Sequence, residues 1–71
     1  MNIELSKQFG SIIKEFRKQQ HLSQEELAER AGVHRTYIGM IERGEKNVTL
    51  ENIQKLANAF DVQIKILFEK L

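Results

Sequence analysis

Two arginines and a threonine in one short segment carry the side chains best suited to hydrogen-bond recognition. Arg35, Thr36 and Arg43 supply two guanidinium groups and a hydroxyl. An arginine fork can donate two parallel hydrogen bonds to the O6 and N7 atoms of a guanine, and a threonine can contact a base edge or a thymine methyl group. The three side chains can act together only if one rigid element presents them on a common surface.

The element that carries these residues reads as a short helix with two different faces. It begins near His34, a poor N-cap residue, and ends at Gly44. At about 100° per residue, one side of this helix is apolar and carries Tyr37, Ile38 and Ile41. The other side carries Arg35, Thr36, Gly39, Met40 and Arg43. A helical glycine costs about 1 kcal/mol relative to alanine, and close approach of another surface is one explanation for Gly39. Such a helix suits insertion into a DNA major groove.

Another short helix precedes this one across a tight turn. Ser23 followed by Glu26 fits the capping-box pattern, in which each side chain bonds to the other residue's backbone N–H. Leu22 and Leu27 have the spacing of the accompanying hydrophobic staple. Gly32 is expected to end the helix in the left-handed conformation that glycine enters freely.

Two longer helices flank this pair. The first is predicted from Asn2 to Gln20, and its core stripe consists of Phe9, Ile12, Ile13 and Phe16. His21 stands at the stop position and tolerates the left-handed region better than most residues. The other helix is predicted from Leu50 to Phe60, with Asn47 or Thr49 as its cap. Its inward side chains are expected to be Leu50, Ile53, Leu56, Ala57 and Phe60.

The C-terminal segment, residues 62–71, fits two kinds of secondary structure. Apolar and polar residues alternate over 62–68 as in a strand, yet part of the segment also fits helical spacing. Its apolar side chains exceed what one small core can cover, which suggests a partner surface. The alternative is that they all close the core. These side chains are Ile64, Ile66, Leu67, Phe68 and Leu71.

Length and composition exclude several classes of protein. The 71 residues, with a net charge of +1, predict one small domain over residues 1–71. The chain has no cysteine, and neither His21 nor His34 has a partner at ligand spacing, so no metal or other cofactor is expected. No apolar run could span a membrane and no signal peptide is visible, so a cytoplasmic location is expected. No catalytic arrangement or small-molecule site is evident, so an enzyme is not expected.

The segment from Ser23 to Gly44 carries a family resemblance. Its runs S-Q-E-E-L-A-E-R-A-G-V and R-T-Y-I-G-M-I-E-R-G resemble the helix-turn-helix of the Cro and phage-repressor (Xre-type) DNA-binding family. The pattern R-T-Y-I-x-x-I-E-R-G-x-x-N is most similar to the controller proteins of restriction–modification systems. The resemblance implies an all-α, five-helix lambda-repressor-like domain, with the helix-turn-helix in helices 2 and 3 at about residues 23–43. It also favours a helix for the last segment.

The same resemblance implies a transcriptional regulator that binds double-stranded DNA as a homodimer and controls its own promoter. The two third helices would lie about 34 Å apart on a palindromic operator. The predicted base contacts are Arg35, Thr36, Gly39 and Met40, although Met40 can equally belong to the core. The predicted DNA backbone contacts are Gln24, His34, Tyr37, Arg43, Lys46 and Asn47, of which the last two can also be ordinary polar loop residues. The predicted dimer contacts are Ile64, Ile66, Leu67, Phe68 and Leu71.

One structural ion pair is also implied by the resemblance. In phage-repressor relatives, an arginine at the position of Arg17 pairs with a glutamate at the position of Glu42, at the end of the recognition helix. This pair would clamp the first helix onto the third. The alternative is that Arg17 contacts a DNA phosphate, and the two roles can coexist.

Two other functions compete with DNA regulation by a controller-like protein. One is the antitoxin of a toxin–antitoxin pair, although antitoxins usually carry a toxin-neutralising extension and this sequence ends at Leu71. The other is a protein-interaction module that does not contact DNA. The identity of the neighbouring gene, a toxin or a restriction endonuclease, would distinguish an antitoxin from a controller.

Overall fold

Five helices form the secondary structure of residues 2–71, which are the residues that the computed structural model describes. They are α1 (Ile3–Gln19), α2 (Gln24–Ala31), α3 (Arg35–Glu42), α4 (Leu50–Phe60) and α5 (Ile64–Phe68). No strand occurs within this range. The prediction of an all-α, five-helix fold is confirmed, and the C-terminal segment forms a helix rather than a strand.

Local signals fix the ends of α2 and the start of α3. Ser23 Oγ accepts a hydrogen bond from the Glu26 N–H at 3.0 Å, and Glu26 Oε1 accepts one from the Ser23 N–H at 2.9 Å. This capping box holds the pKa of Glu26 below its usual range, chiefly through the Ser23 N–H. Gly32 ends α2 with a φ of 70°. His34 then caps α3, because its Nδ1 accepts from the Thr36 N–H at 3.1 Å.

Two helices end at residues other than glycine in the left-handed conformation. His21, with a φ of 57°, follows α1 as the sequence predicts. Asp61, with a φ of 58°, ends α4 in the same way, which the sequence analysis did not predict. Thr49, rather than Asn47, caps α4, because its hydroxyl accepts from the Asn52 N–H at 3.2 Å.

The apolar faces of the five helices meet in one core. Its largest fully buried side chains are Phe9, Ile13, Leu27, Ile38, Ile41, Leu56, Phe60 and Leu67. The third helix packs against both α1 and α2, while α5 packs against α4 and α1. As a result, α3 is held on its apolar side by two helices and keeps its polar side outside the core.

The backbones of α1 and α3 approach most closely at Gly10. A Cβ atom at this position would overlap the carbonyl oxygen of Ile41 and lie 2.9 Å from that of Glu42. Both obstacles are backbone atoms, which cannot move aside as a flexible side chain can. The absence of a side chain at Gly10 therefore sets the distance between the two helices, a role that the sequence analysis did not identify.

Two leucines lie where the sequence analysis did not place them. Leu67, predicted as a dimer contact, is 0% exposed, because α5 turns this side chain into the core of its own protomer. Leu50, predicted to face inward, is 74% exposed. Its neighbours Thr49 and Glu51 are exposed as well, so α4 begins outside the core and enters it at Ile53.

Candidate nucleic-acid interface

The first turn of α3 presents its polar side chains to solvent. Arg35 and Thr36 are exposed, and Tyr37 and Met40 are half-buried. The opposite side of the helix is buried and consists of Ile38 and Ile41. His34 is exposed, and acceptance of the cap hydrogen bond at Nδ1 leaves Nε2 as the N–H donor of the neutral ring. The N-terminal turn of α3 therefore offers several donors on one outward face.

An ion pair fixes the orientation of α3 relative to α1. Arg17 Nε donates to Glu42 Oε2 at 2.7 Å, and Arg17 Nη2 donates to Glu42 Oε1 at 3.1 Å. A third N–H, on Nη1, donates to the carbonyl oxygen of Leu22 at 2.8 Å. The two charged side chains are only 12% and 4% exposed. The structure thus brings together the two residues of the proposed clamp and adds the turn before α2 to it.

The side chain of Gln24 belongs to the same network. Its Nε2 donates to Glu42 Oε1 at 3.1 Å, so the amide is engaged within the protein. This bond uses one of the two N–H groups of the amide, so the predicted contact with a phosphate, by the side chain or the backbone N–H, stays a prediction. The backbone N–H of Gln24, at the first position of α2, has no partner within the helix and also suits an anion.

Tyr37 is held from α4. Its hydroxyl oxygen accepts a hydrogen bond from Asn52 Nδ2 at 3.0 Å, and its ring packs against the core. Since the oxygen acts as acceptor in this bond, the phenolic O–H keeps a proton that it can donate to a DNA oxygen. Asn52 was missed by the sequence analysis, because nothing in the spacing of residues 37 and 52 indicates a contact between two helices.

At the far end of α3, a second ion pair covers Gly39. Arg43 Nε and Nη2 donate to the two carboxylate oxygens of Glu45 at 3.0 and 3.2 Å. The guanidinium lowers the pKa of Glu45, and the carboxylate raises the pKa of Arg43. Gly39 is buried, and a Cβ there would lie 3.1 Å from Arg43 Nη1. In this conformation Gly39 therefore supports Arg43 and is not itself open to a base. Nothing in the sequence pattern indicated this role for Glu45.

The loop after α3 carries the remaining predicted contacts. Lys46 and Asn47 are both exposed.

Within residues 2–71, no three His, Cys, Asp or Glu side chains come together as a metal site would require. None of the helices in this range is long and apolar enough to cross a membrane.

The comparison with known proteins supplies the family. Residues 13–67, most of the chain, match the helix-turn-helix family. The chain belongs to this family. Within the family it is similar to the control protein C.BamHI of Bacillus amyloliquefaciens, with 45% identity over 62 residues, which cover 86% of this chain and 76% of the relative.

Solved structures of helix-turn-helix controllers agree with this placement. The restriction–modification controller protein C.AhdI from Aeromonas hydrophila superposes with a TM-score of 0.87 at 46% identity, covering 89% of this chain and 96% of that one. C.Esp1396I, solved bound to a 19 base pair DNA duplex, superposes with a TM-score of 0.86 at 30% identity, covering 93% and 88%. The predicted resemblance is confirmed: the chain is a DNA-binding transcriptional regulator of the restriction–modification controller type.

Proposed function

We propose that the protein acts as a homodimer on a palindromic operator, with α3 of each protomer in a major groove, and that it regulates its own promoter. The observation that carries this proposal is the exposed Arg35–Thr36 turn on a helix that a buried ion pair and the core hold rigid. The structure of C.Esp1396I bound to a 19 base pair DNA duplex supports the DNA-binding part of this proposal. Because C.BamHI comes from a bacterium, whose DNA lies in the cytoplasm, the proposal also places the protein there.

Within this proposal, the side chains divide between bases and backbone. Arg35 donates its fork to guanine O6 and N7, and Thr36 and Met40 contact a neighbouring base edge or thymine methyl group. The backbone contacts fix the register of the protein on the duplex. They are His34 Nε2, the Tyr37 hydroxyl, Lys46, Asn47 and the Gln24 backbone N–H, which the start of α2 aims outward.

Replacing Arg35 by alanine should reduce sequence-specific binding and leave other binding nearly unchanged. The expected loss is about 1–3 kcal/mol, or about 5- to 150-fold in affinity, for each half-site of the operator, because each protomer loses one bidentate base contact. A mobility-shift titration measures this loss on the DNA directly upstream of the gene and on a scrambled duplex, at two salt concentrations.

The control for this experiment is Lys14→Ala, which removes one exposed positive charge from α1. It should change both affinities by less than about twofold. An equal loss on the two duplexes with Arg35→Ala would mean that Arg35 contacts phosphate only. If wild type does not prefer the upstream DNA, autoregulation is wrong. Sequence-specific binding is wrong as well if wild type selects no duplex from a random library.

The proposed dimer surface consists of the apolar side chains at the C-terminal end that the core leaves uncovered. Phe68 and Leu71 are 38% and 45% exposed, and Ile64 and Ile66 are half-buried. Phe68 also stacks on Phe9, with ring centroids 6.1 Å apart, so only part of its ring is available. A two-fold axis through this patch would bring identical apolar side chains together, as an isologous interface requires.

Leu71→Glu should weaken self-association without unfolding the protein. In a symmetric dimer, two new carboxylates would face each other at an apolar contact, and the dimer dissociation constant should rise at least about tenfold. Sedimentation velocity over a concentration series measures the effect. Leu50→Glu is the matched control, because Leu50 is an even more exposed leucine, on α4. If this control weakens the dimer and Leu71→Glu does not, the interface lies on α4 instead.

A further inference from the structure

Arg43 is held by Glu45 in a side-on geometry. The hydrogen-bond donors to the carboxylate are Nε, at 3.0 Å, and Nη2, at 3.2 Å. Both side chains are exposed, at 57% and 51%. The carboxylate therefore fixes the plane of the guanidinium without burying it.

The side-on geometry leaves a complete hydrogen-bonding edge on Arg43. A guanidinium has five N–H donors, and this pairing uses one on Nε and one on Nη2. Two N–H groups on Nη1 and one on Nη2 remain, and the outer edge formed by Nη1 and Nη2 presents two parallel donors. That spacing is the one that matches O6 and N7 of guanine.

The position of this free edge is set by Gly39. A Cβ at Gly39 would lie 3.1 Å from Arg43 Nη1 and 3.8 Å from Cζ, so the guanidinium folds back over the helix. Gly39 lies one helical turn after Arg35 on the same face. The fork of Arg43 therefore lies over Gly39, on the face of α3 that also carries Arg35, and not beyond the end of the helix.

We propose that Arg43 is a second base-reading residue, rather than the DNA backbone contact that the sequence predicts, and that Glu45 is its positioning residue. The inference rests on the proposed placement of α3 in the major groove. This role would explain the glycine at position 39 of the helix, because the absence of a side chain there leaves space for the guanidinium. In this role Glu45 opposes binding to any DNA through repulsion by phosphates, and favours the correct base by holding the fork. Its net effect is on specificity.

Arg43→Lys and Glu45→Gln test the two roles separately. Lysine keeps the positive charge but has no planar fork. The ratio of affinities for the preferred and scrambled duplexes should fall about tenfold, while the affinity for the scrambled duplex changes less than about twofold. With Glu45→Gln, the scrambled duplex should bind more tightly and the preferred duplex should not, so the ratio should fall at least about threefold. The preferred duplex is the one that wild type selects from a random library.

The control is Glu15→Gln. It makes the same change of charge in an ion pair of similar exposure, since Glu15 and Lys70 are 48% and 56% exposed and their closest atoms are 2.7 Å apart. This variant should keep the affinity ratio. When the selection from a random library is repeated with the Arg43→Lys variant, the selected duplexes should no longer prefer guanine at one position in each half-site.

The possible failures can be told apart. If Arg43→Lys keeps the ratio within twofold, or if Glu45→Gln tightens binding to both duplexes equally, Arg43 contacts phosphate and the inference is overturned. In that case a specific loss with Arg35→Ala would still support the proposed function. If wild type selects no duplex, the proposed function fails, and this inference fails with it.

Discussion

Gly10→Ala is expected to lose about 3 kcal/mol or more of the free energy of unfolding. Overpacking a core by one methyl group commonly costs about 1–3 kcal/mol when side chains can adjust. Here the new Cβ would overlap the carbonyl oxygen of Ile41 and lie 2.9 Å from that of Glu42, so relief requires moving α1 away from α3. A domain of this size has a total stability of only about 4–10 kcal/mol. Urea unfolding followed by circular dichroism measures the loss.

Gly39→Ala is the matched control, because it makes the same substitution inside another helix. The atom nearest to its new Cβ, at 3.1 Å, is Nη1 of Arg43, the end of a side chain that is 57% exposed. That group can move, so the variant should be as stable as wild type or up to about 1 kcal/mol more stable. Equal losses in the two variants would show that general helix geometry, and not the contact between α1 and α3, explains Gly10.

The features predicted correctly from sequence are those determined by neighbouring residues. The capping box of Ser23 and Glu26, the left-handed Gly32 and the buried face of Ile38 each depend on residues within one or two turns. Such signals also locate α3 and its exposed first turn. They support a candidate surface for recognition, whereas the five-helix fold was inferred from the family resemblance.

The features missed from sequence depend on distances between elements. The close approach at Gly10, the bond from Asn52 to Tyr37 and the guanidinium over Gly39 all arise from the packing of helices and loops. The excess of apolar side chains near the C-terminus, together with the family resemblance, led to the prediction of Leu67 as a dimer contact, because a sequence does not show how far one small core extends. The pairing of Arg17 with Glu42 was inferred from family resemblance, and no spacing rule would have found it.

Arg17→Met should lose about 3–5 kcal/mol of stability, the cost of leaving a buried charge without its partner. Glu42 is only 4% exposed, and without Arg17 its carboxylate would keep only the hydrogen bond from Gln24. Glu42→Leu should lose less, because Arg17 is more exposed, at 12%, and keeps its bond to the Leu22 carbonyl. The double variant should lie within about 1 kcal/mol of wild type, since an apolar pair of similar volume can replace a buried ion pair. A double-mutant cycle in urea unfolding measures the coupling.

The exposed pair of Glu15 and Lys70 provides the control, because breaking it with Glu15→Gln should cost less than about 1 kcal/mol. Additive losses in the Arg17 and Glu42 cycle would contradict the clamp. The folded double variant also separates the two roles considered for Arg17, since it lacks the guanidinium but keeps the fold. If Arg17 serves only as a clamp, the double variant should bind the operator with the salt dependence of wild type. If Arg17 also contacts a phosphate, the slope of log affinity against log salt concentration should become shallower by about 0.9 for each protomer, or about 1.8 for the dimer.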